Sequence, residues 1–187
     1  MSRDAYEMAL ASVDVNAPFL LFFNEKLEHG ILGLVAAKLT ETFHRPSGVF
    51  TRDGDMIVGS LRAPVGIDLV KILDASAEFM ARYGGHAGAA GCSIRFTDMQ
   101  TAFQRITEAT QELYDMADFI PSITVDTVLN IDELDLSLVS EIDSLRPFGA
   151  SFASPLFMLR DVSAPILSLG QTGEHIRWDM GGKIDII

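Results

Sequence analysis

The chain has one cysteine, Cys92, and one tryptophan, Trp178, among its 187 residues. A single thiol excludes an intramolecular disulfide framework and any zinc site built on a CxxC pair. No apolar run approaches the roughly 20 residues needed to span a bilayer. The opening MSRDAYEMALASVDV has a helical, acidic pattern, unlike a basic leader ahead of an apolar core and cleavage site. These absences predict a soluble, cytoplasmic protein with no membrane partner.

Positive charge is missing in one place. From Ile106 to Leu145 there is no Lys or Arg. Glu108, Glu112, Asp115, Asp118, Asp126, Asp132, Glu133, Asp135, Glu141 and Asp143 in that stretch carry most of the net charge of −12. The acidity is local. It suits a solvated face and linker, or a contact with a basic neighbouring domain, and does not exclude anion binding elsewhere.

With 48% apolar residues the chain has material for one good core or two small ones. After a short N-terminal helix, PFLLFF (Pro18 to Phe23) is an apolar run of strand length. Ile31 to Phe43 reads as a helix with Ile31, Leu34, Val35, Leu39 and Phe43 near one face, opened by Gly30. RPSGVFTRDG and MIVGSLR read as two strands turned at Asp53–Gly54–Asp55. Asp68 reads as the N-cap of a helix running through Tyr83 to Gly84–Gly85. GCSIRF is an alternating strand, and a long amphipathic helix follows from Thr97 or Asp98 to about Met116.

This alternation predicts an α/β fold over the first part of the chain. A break falls at Phe119–Ile120–Pro121–Ser122. SITVDTVLNI, a short helix from Ser137 to Leu145, PLFMLRDV, APILSLG and EHIRWDM follow as short elements. They suggest a small β-barrel or a piece of one. KIDII ends the sequence inside what should be another strand, so a truncated barrel and a fragment of a longer protein are expected.

The stretch GGHAGAAG, Gly84 to Gly91, is the densest chemical signal. Its spacing fits neither the GxGxxG dinucleotide fingerprint nor a P-loop. Consecutive glycines can bring backbone N–H groups close to an anion, and His86 can donate to a phosphate oxygen. A tight packed turn and a metal ligand remain open alternatives, although no second ligand lies at suitable spacing. Ser60 and Arg62, two apart on a strand, share a face and supply a hydroxyl and a bidentate cationic fork. That pair favours phosphate contact.

The order G-S-x-R, helix, GGHxxAAG resembles the DHH-associated domain of the DHH phosphoesterase superfamily. EHGILGLVAAKL and FHRPSGVFTRDGDMIVGSLR are similar to its helix-opening and strand-pair segments. LRPFGASFASPLFML resembles the approach to the OB-like barrel of RecJ-type exonucleases, which degrade single-stranded DNA 5′→3′ in repair and recombination. The resemblance implies a mixed β-sheet domain with flanking helices over 1–118 and a partial OB-like β-barrel over 119–187. It implies that Ser60, Arg62, Gly84, Gly85 and His86 bind nucleic-acid phosphates, and that Arg146, Arg160 and Arg177 guide single-stranded DNA. Phe148, Trp178 and Lys183 are further barrel candidates, the two aromatics favouring core roles. The family's Mn²⁺ or Mg²⁺ belongs to a catalytic DHH domain. No DHH triplet occurs in this sequence, so this chain alone should not cleave, and that domain is its implied partner. The same features suit the matching part of a nano-RNase or nucleotide phosphatase, or a non-catalytic interaction module. Two departures stand out: Glu28 occupies a position usually held by His, and Ala150 to Ser154 replace a GNPEP-like turn.

Overall fold

The computed structural model describes residues 2–149, 151–160, 162–163, 165–169, 175–179 and 185–186. The chain divides into two compact units, Met1–Pro121 and Ser122–Ile187. The first unit begins with helix α1 (Ser2–Leu10), strand β1 (Leu20–Phe23) and helix α2 (His29–Phe43). Strands β2 (Ser47–Asp53) and β3 (Met56–Arg62), helix α3 (Leu69–Asp74), strands β4 (Met80–His86) and β5 (Ala89–Arg95), and helix α4 (Met99–Leu113) complete it.

Its five strands form one mixed sheet in the order β1-β2-β3-β5-β4. β1 lies parallel to β2, and the remaining pairs are antiparallel. Each face of the sheet has its own apolar core. Leu20, Phe22 and Val49 pack with Leu32, Val35, Ala36 and Leu39 of α2 and Ala5 and Ala9 of α1. Phe50, Ile57, Leu61, Cys92 and Ile94 pack on the other face with Leu69, Ile72 and Leu73 of α3 and Ile106 of α4. The period-2 alternation of the strands sorts side chains between these two cores.

Two glycines make room for one aromatic ring. A Cβ on Gly59 would sit 2.3 Å from the Phe50 ring, and one on Gly48 would sit 2.8 Å from it. Phe50 cannot move away easily, because its ring packs 4.7 Å from that of Phe103 on α4.

The second unit contains strand β6 (Thr127–Leu129), helix α5 (Leu136–Ser144) and strand β7 (Phe157–Leu159), followed by β8 (Ile166–Leu169), β9 (His175–Asp179) and β10 (Asp185–Ile186). β6 and β7 pair in parallel, and β8, β9 and β10 form an antiparallel sheet. Among the described residues these are open sheets, and none of the described side chains in this unit is fully buried.

Several expected boundaries change. The helix expected from Asp68 to Tyr83 stops at Asp74, and Met80–His86 is strand. Asp68 does cap it, accepting from Val70 N at 2.9 Å. Pairing with β5 overrides the helix propensity of the Ala-, Glu- and Met-containing segment. GGHAGAAG is therefore a β-hairpin, not a link between a helix and a strand. Helix α2 begins at His29, so Gly30 lies inside its first turn. Its buried face is Leu32, Val35, Ala36, Leu39 and Thr40, while Leu34 is 63% exposed. Helix α4 ends at Leu113, before Met116, and only Thr127–Leu129 of SITVDTVLNI is strand. Phe119 belongs to the core on the α3–α4 face, and the Arg45 guanidinium stacks 4.7 Å from its ring and donates to its carbonyl.

Two outcomes follow from this packing. Gly59→Ala is expected to lose about 1–3 kcal/mol in urea unfolding by overpacking Phe50, and a Phe50→Leu background should reduce that loss. Burial pushes the Cys92 thiol up to about 12. Native protein should therefore resist iodoacetamide at neutral pH, with modification appearing only as the chain unfolds.

Candidate functional site

Antiparallel register brings the predicted residues together in rows across the sheet. Arg62 pairs with Ala89, which pairs with His86. Ser60 pairs with Gly91, which pairs with Gly84. Directly paired residues project to the same side, and Arg62 and Ser60 are two apart on one strand. All six positions therefore face the side on which α2 lies. Helix α2 lies over β2 and β3, leaving the β5–β4 part of that face open. Ala89, Gly84 and His86 are exposed there, and Gly91 is half-buried. The result is a shelf floored by Ala89, Gly91 and Gly84, with Ser60 and Arg62 along one side and His86 on the other. Two strand spacings, about 10 Å, separate β3 from β4.

The guanidinium is held in place. Arg62 Nη1 donates to Ser60 Oγ at 3.2 Å and to Leu61 O at 2.8 Å. Nε and Nη2 remain as donors, and the Ser60 hydroxyl keeps its own proton to donate. Gly33 of α2 sits directly above: a Cβ there would lie 2.7 Å from Arg62 Nη2 and 3.1 Å from Ser60 Oγ. The start of α2 is one turn away, and its N-cap Glu28 makes no side-chain cap hydrogen bond. The positive end of a 15-residue helix thus lies near the arginine. A hydroxyl, a fixed arginine, a histidine and a helix start stand around a floor without bulky side chains, which is the donor chemistry that anions such as phosphate take.

The two consecutive glycines have different duties. Gly84 has open space at its Cβ position, on the shelf itself. Gly85 belongs to the opposite, core-facing row with Ala90 and Leu61. Its φ is +152°, and a Cβ would lie 2.4 Å from Ala89 O and 2.5 Å from Ala90 Cα. It shapes the hairpin, while Gly84 keeps the shelf clear. The hairpin tip is pinned by Ala63 N donating to Gly88 O and Leu69 N donating to Ala87 O. Tyr114 supports that loop by accepting from Asp68 N at 2.8 Å. Tyr83 ties β4 to α3 by donating to Asp74 Oδ1 at 2.9 Å. That hydrogen bond first, then burial and the carboxylate charge, holds the phenol above its ordinary pKa.

In the second unit, Arg146 pairs with Asp143 at 2.7 Å and lies 5.6 Å from the Phe148 ring. Phe148 also packs against the Phe152 ring. Arg160 is exposed. The side chains of Arg177 and Trp178, and all of Lys183, fall outside the described residues. Among the described residues no group of three His, Cys, Asp or Glu side chains converges as a metal site. Residue patterns missed Gly33 and Arg82. A glycine inside an apolar helix pattern was the available signal for Gly33, whereas Arg82 was hidden by its assignment to a helix.

Comparisons with known proteins agree with this architecture. The DHHA1 domain model matches residues 16–112, and the RecJ OB domain model matches residues 125–187. The single-stranded-DNA-specific exonuclease RecJ of Bacillus subtilis is 28% identical over 79% of this chain and 19% of its own length. That of Salmonella typhimurium is 30% identical over 74% of this chain and 25% of its own length. The chain thus spans about a fifth to a quarter of these curated relatives. The crystal structure of RecJ from Thermus thermophilus in complex with Mg²⁺ superposes with a TM-score of 0.81. It shares 22% identity and covers 97% of this chain and 28% of its own, a likeness of fold.

The glycine assignments are open to direct measurement. Gly85→Ala should lower stability by about 1–3 kcal/mol through backbone strain and collision with the Ala89–Ala90 backbone. Gly84→Ala should stay within about 0.5 kcal/mol of the parent in the same thermal melts.

Proposed function

This chain belongs to the DHHA1 domain family, and on that premise we propose that it is the nucleic-acid-holding portion of a RecJ-like 5′→3′ single-strand-specific exonuclease. The observation that carries the reading is the row Arg62–Ala89–His86 beside the row Ser60–Gly91–Gly84, an open cationic shelf on a protein of net charge −12. Arg62 Nε and Nη2, the Ser60 hydroxyl and His86 hydrogen-bond the phosphate backbone near the bond to be cut. Gly84 and Gly91 let the sugar–phosphate chain approach the sheet. The OB segment, with Arg160 and Arg177 and a more constrained Arg146, guides the following single strand by charge and stacking.

Hydrolysis belongs to a DHH domain with Mn²⁺ or Mg²⁺. The described side chains of this chain do not offer a ligand set for those ions, and no step of the chemistry is assigned to them. The division of labour is grip on this chain and metal-assisted attack on the other. Action in DNA repair and recombination and a cytoplasmic location complete the proposal. No helix among the described residues is long and apolar enough to cross a membrane. The match of residues 125–187 to an OB domain favours an oligonucleotide over a free nucleotide or a protein as ligand.

Fluorescence anisotropy with a 5′-phosphorylated single strand, the matching duplex and a 3′,5′-bisphosphate nucleotide tests this. Salt-sensitive binding that prefers the single strand is expected. Arg62→Ala should weaken it about 10- to 100-fold, the equivalent of about 1.5–3 kcal/mol for a charged hydrogen bond, and His86→Ala should weaken it less. Both variants should melt like the parent. Parent-like binding by both variants would reject the shelf as the site.

A further inference from the structure

Beyond the shelf, the open face of the sheet continues along β4 and β5. Val58 pairs with Ser93, and Ser93 with Arg82. A β-bulge between Met80 and Arg82 explains how a residue of that segment reaches this side. The extra residue, Ala81, returns Met80 to the core, where it packs, while Arg82 faces outward. Arg82 is exposed and lines a shallow groove of about 400 Å³ with Val58, Gly84, Gly91 and Ser93. The groove is continuous with the shelf, because Gly84 and Gly91 belong to both.

Charge on this side is mostly positive, with one acid, Asp53, at the far end of β2 in the row of Met56 and Arg95. None of the outward strand positions of β3, β5 and β4 is acidic, and Arg62, Arg82, His86 and Arg95 stand among them. Arg95 is flanked by acids, lining a small pocket with Glu78 and Asp98. No ion pair or side-chain hydrogen bond engages Arg82 among the described residues. An unopposed arginine on a strongly acidic chain, at the end of a groove with a glycine floor, is suited to a polyanion.

We infer that Arg82 is a second phosphate contact for the same single strand, several nucleotides along from the Ser60–Arg62–His86 shelf. This rests on the proposed function. His86 and Arg82 are four residues apart on one strand, about 14 Å at 3.4 Å per residue. A stacked strand rising about 3.4 Å per nucleotide covers that distance in about four nucleotides. A dinucleotide held at the shelf cannot reach Arg82, whereas an octanucleotide can. Gly84 and Gly91 keep the middle of the groove low, with Val58 and Tyr83 also in its lining, so the backbone has room to pass. Ser93, half-buried beside Arg82, adds a hydroxyl donor.

The experiment compares the affinity of the full 187-residue chain for 5′-phosphorylated dT2 and dT8, using the parent, Arg82→Ala, Arg82→Lys and Arg62→Ala. Thermal melts confirm that each is folded. Arg82→Ala should weaken dT8 about 5- to 10-fold and leave dT2 unchanged. It should also reduce the slope of log affinity against log salt by about 0.7, one phosphate contact on a single strand. Arg82→Lys should recover most of the loss, since a point charge suffices for a backbone phosphate. Parent-like binding of dT8 by Arg82→Ala overturns the inference. So does an equal loss on dT2 and dT8, which would mean that Arg82 acts through the hairpin. If Arg62→Ala binds both oligonucleotides like the parent while Arg82→Ala loses dT8, the shelf fails and the groove stands. If the parent binds neither, both readings fall.

Discussion

The register between β3, β5 and β4 is the constraint on which everything else in the first unit depends. Ser60 must lie opposite Gly91 and Arg62 opposite Ala89 for the polar pair to share a side with His86. The same alternation sends Ile57 and Leu61 into the core with Ile94 and Ala90. A slip of one residue would exchange the two sets, placing a guanidinium in the apolar layer and leucine on the shelf. Site and core are therefore stabilised by one choice of pairing. The burial of Leu61, Ile57 and Ile94, worth about 1.5–3 kcal/mol per side chain, also keeps Arg62 facing outward.

Small residues are placed where that register brings backbones or rings into contact. Gly48 and Gly59 yield to Phe50, Gly33 yields to Arg62, and Gly85 yields to the backbone at Ala89 and Ala90. Gly84 yields to nothing within the protein. A glycine in a strand interior gives up side-chain packing and conformational freedom, and the proposed shelf gives Gly84 a purpose that internal packing does not. The alanines behave similarly: Ala90 is buried against the core, while Ala89 stays low on the shelf.

Charge is divided in the same way. The acidic stretch after Ile106 is largely used close to home. Glu112 takes a bidentate contact from Arg105, whose hydrogen bonds hold that carboxyl below its usual range. Asp118, Glu133 and Asp135 accept from the backbone N–H groups of Asp115, Asn130 and Leu138. Asp126 accepts from Leu156 N across β6 and β7, and Asp143 pairs with Arg146. Local capping and pairing give these carboxylates structural roles as well as solvation. The net charge of −12 therefore coexists with outward positions on β3, β5 and β4 that bear arginine and histidine and no acid.

Residue pattern alone determined the α/β class, the Asp53–Asp55 turn, the break near Pro121 and the pairing of Ser60 with Arg62 on one strand face. Each of these is set by neighbours in the chain: alternation, turn chemistry or a two-residue spacing. It also marked GGHAGAAG as chemically special. It could not show that the stretch is a hairpin, because Ala77 to Tyr83 has a local preference for helix that only pairing with β5 overrules. For the same reason Arg82 was hidden, Gly84 and Gly85 looked equivalent, and Gly33 had no visible purpose. Tertiary structure decided those points. The partners involved lie several to many residues away along the chain, and hydrogen bonding across strands, not local propensity, selects which side each residue faces.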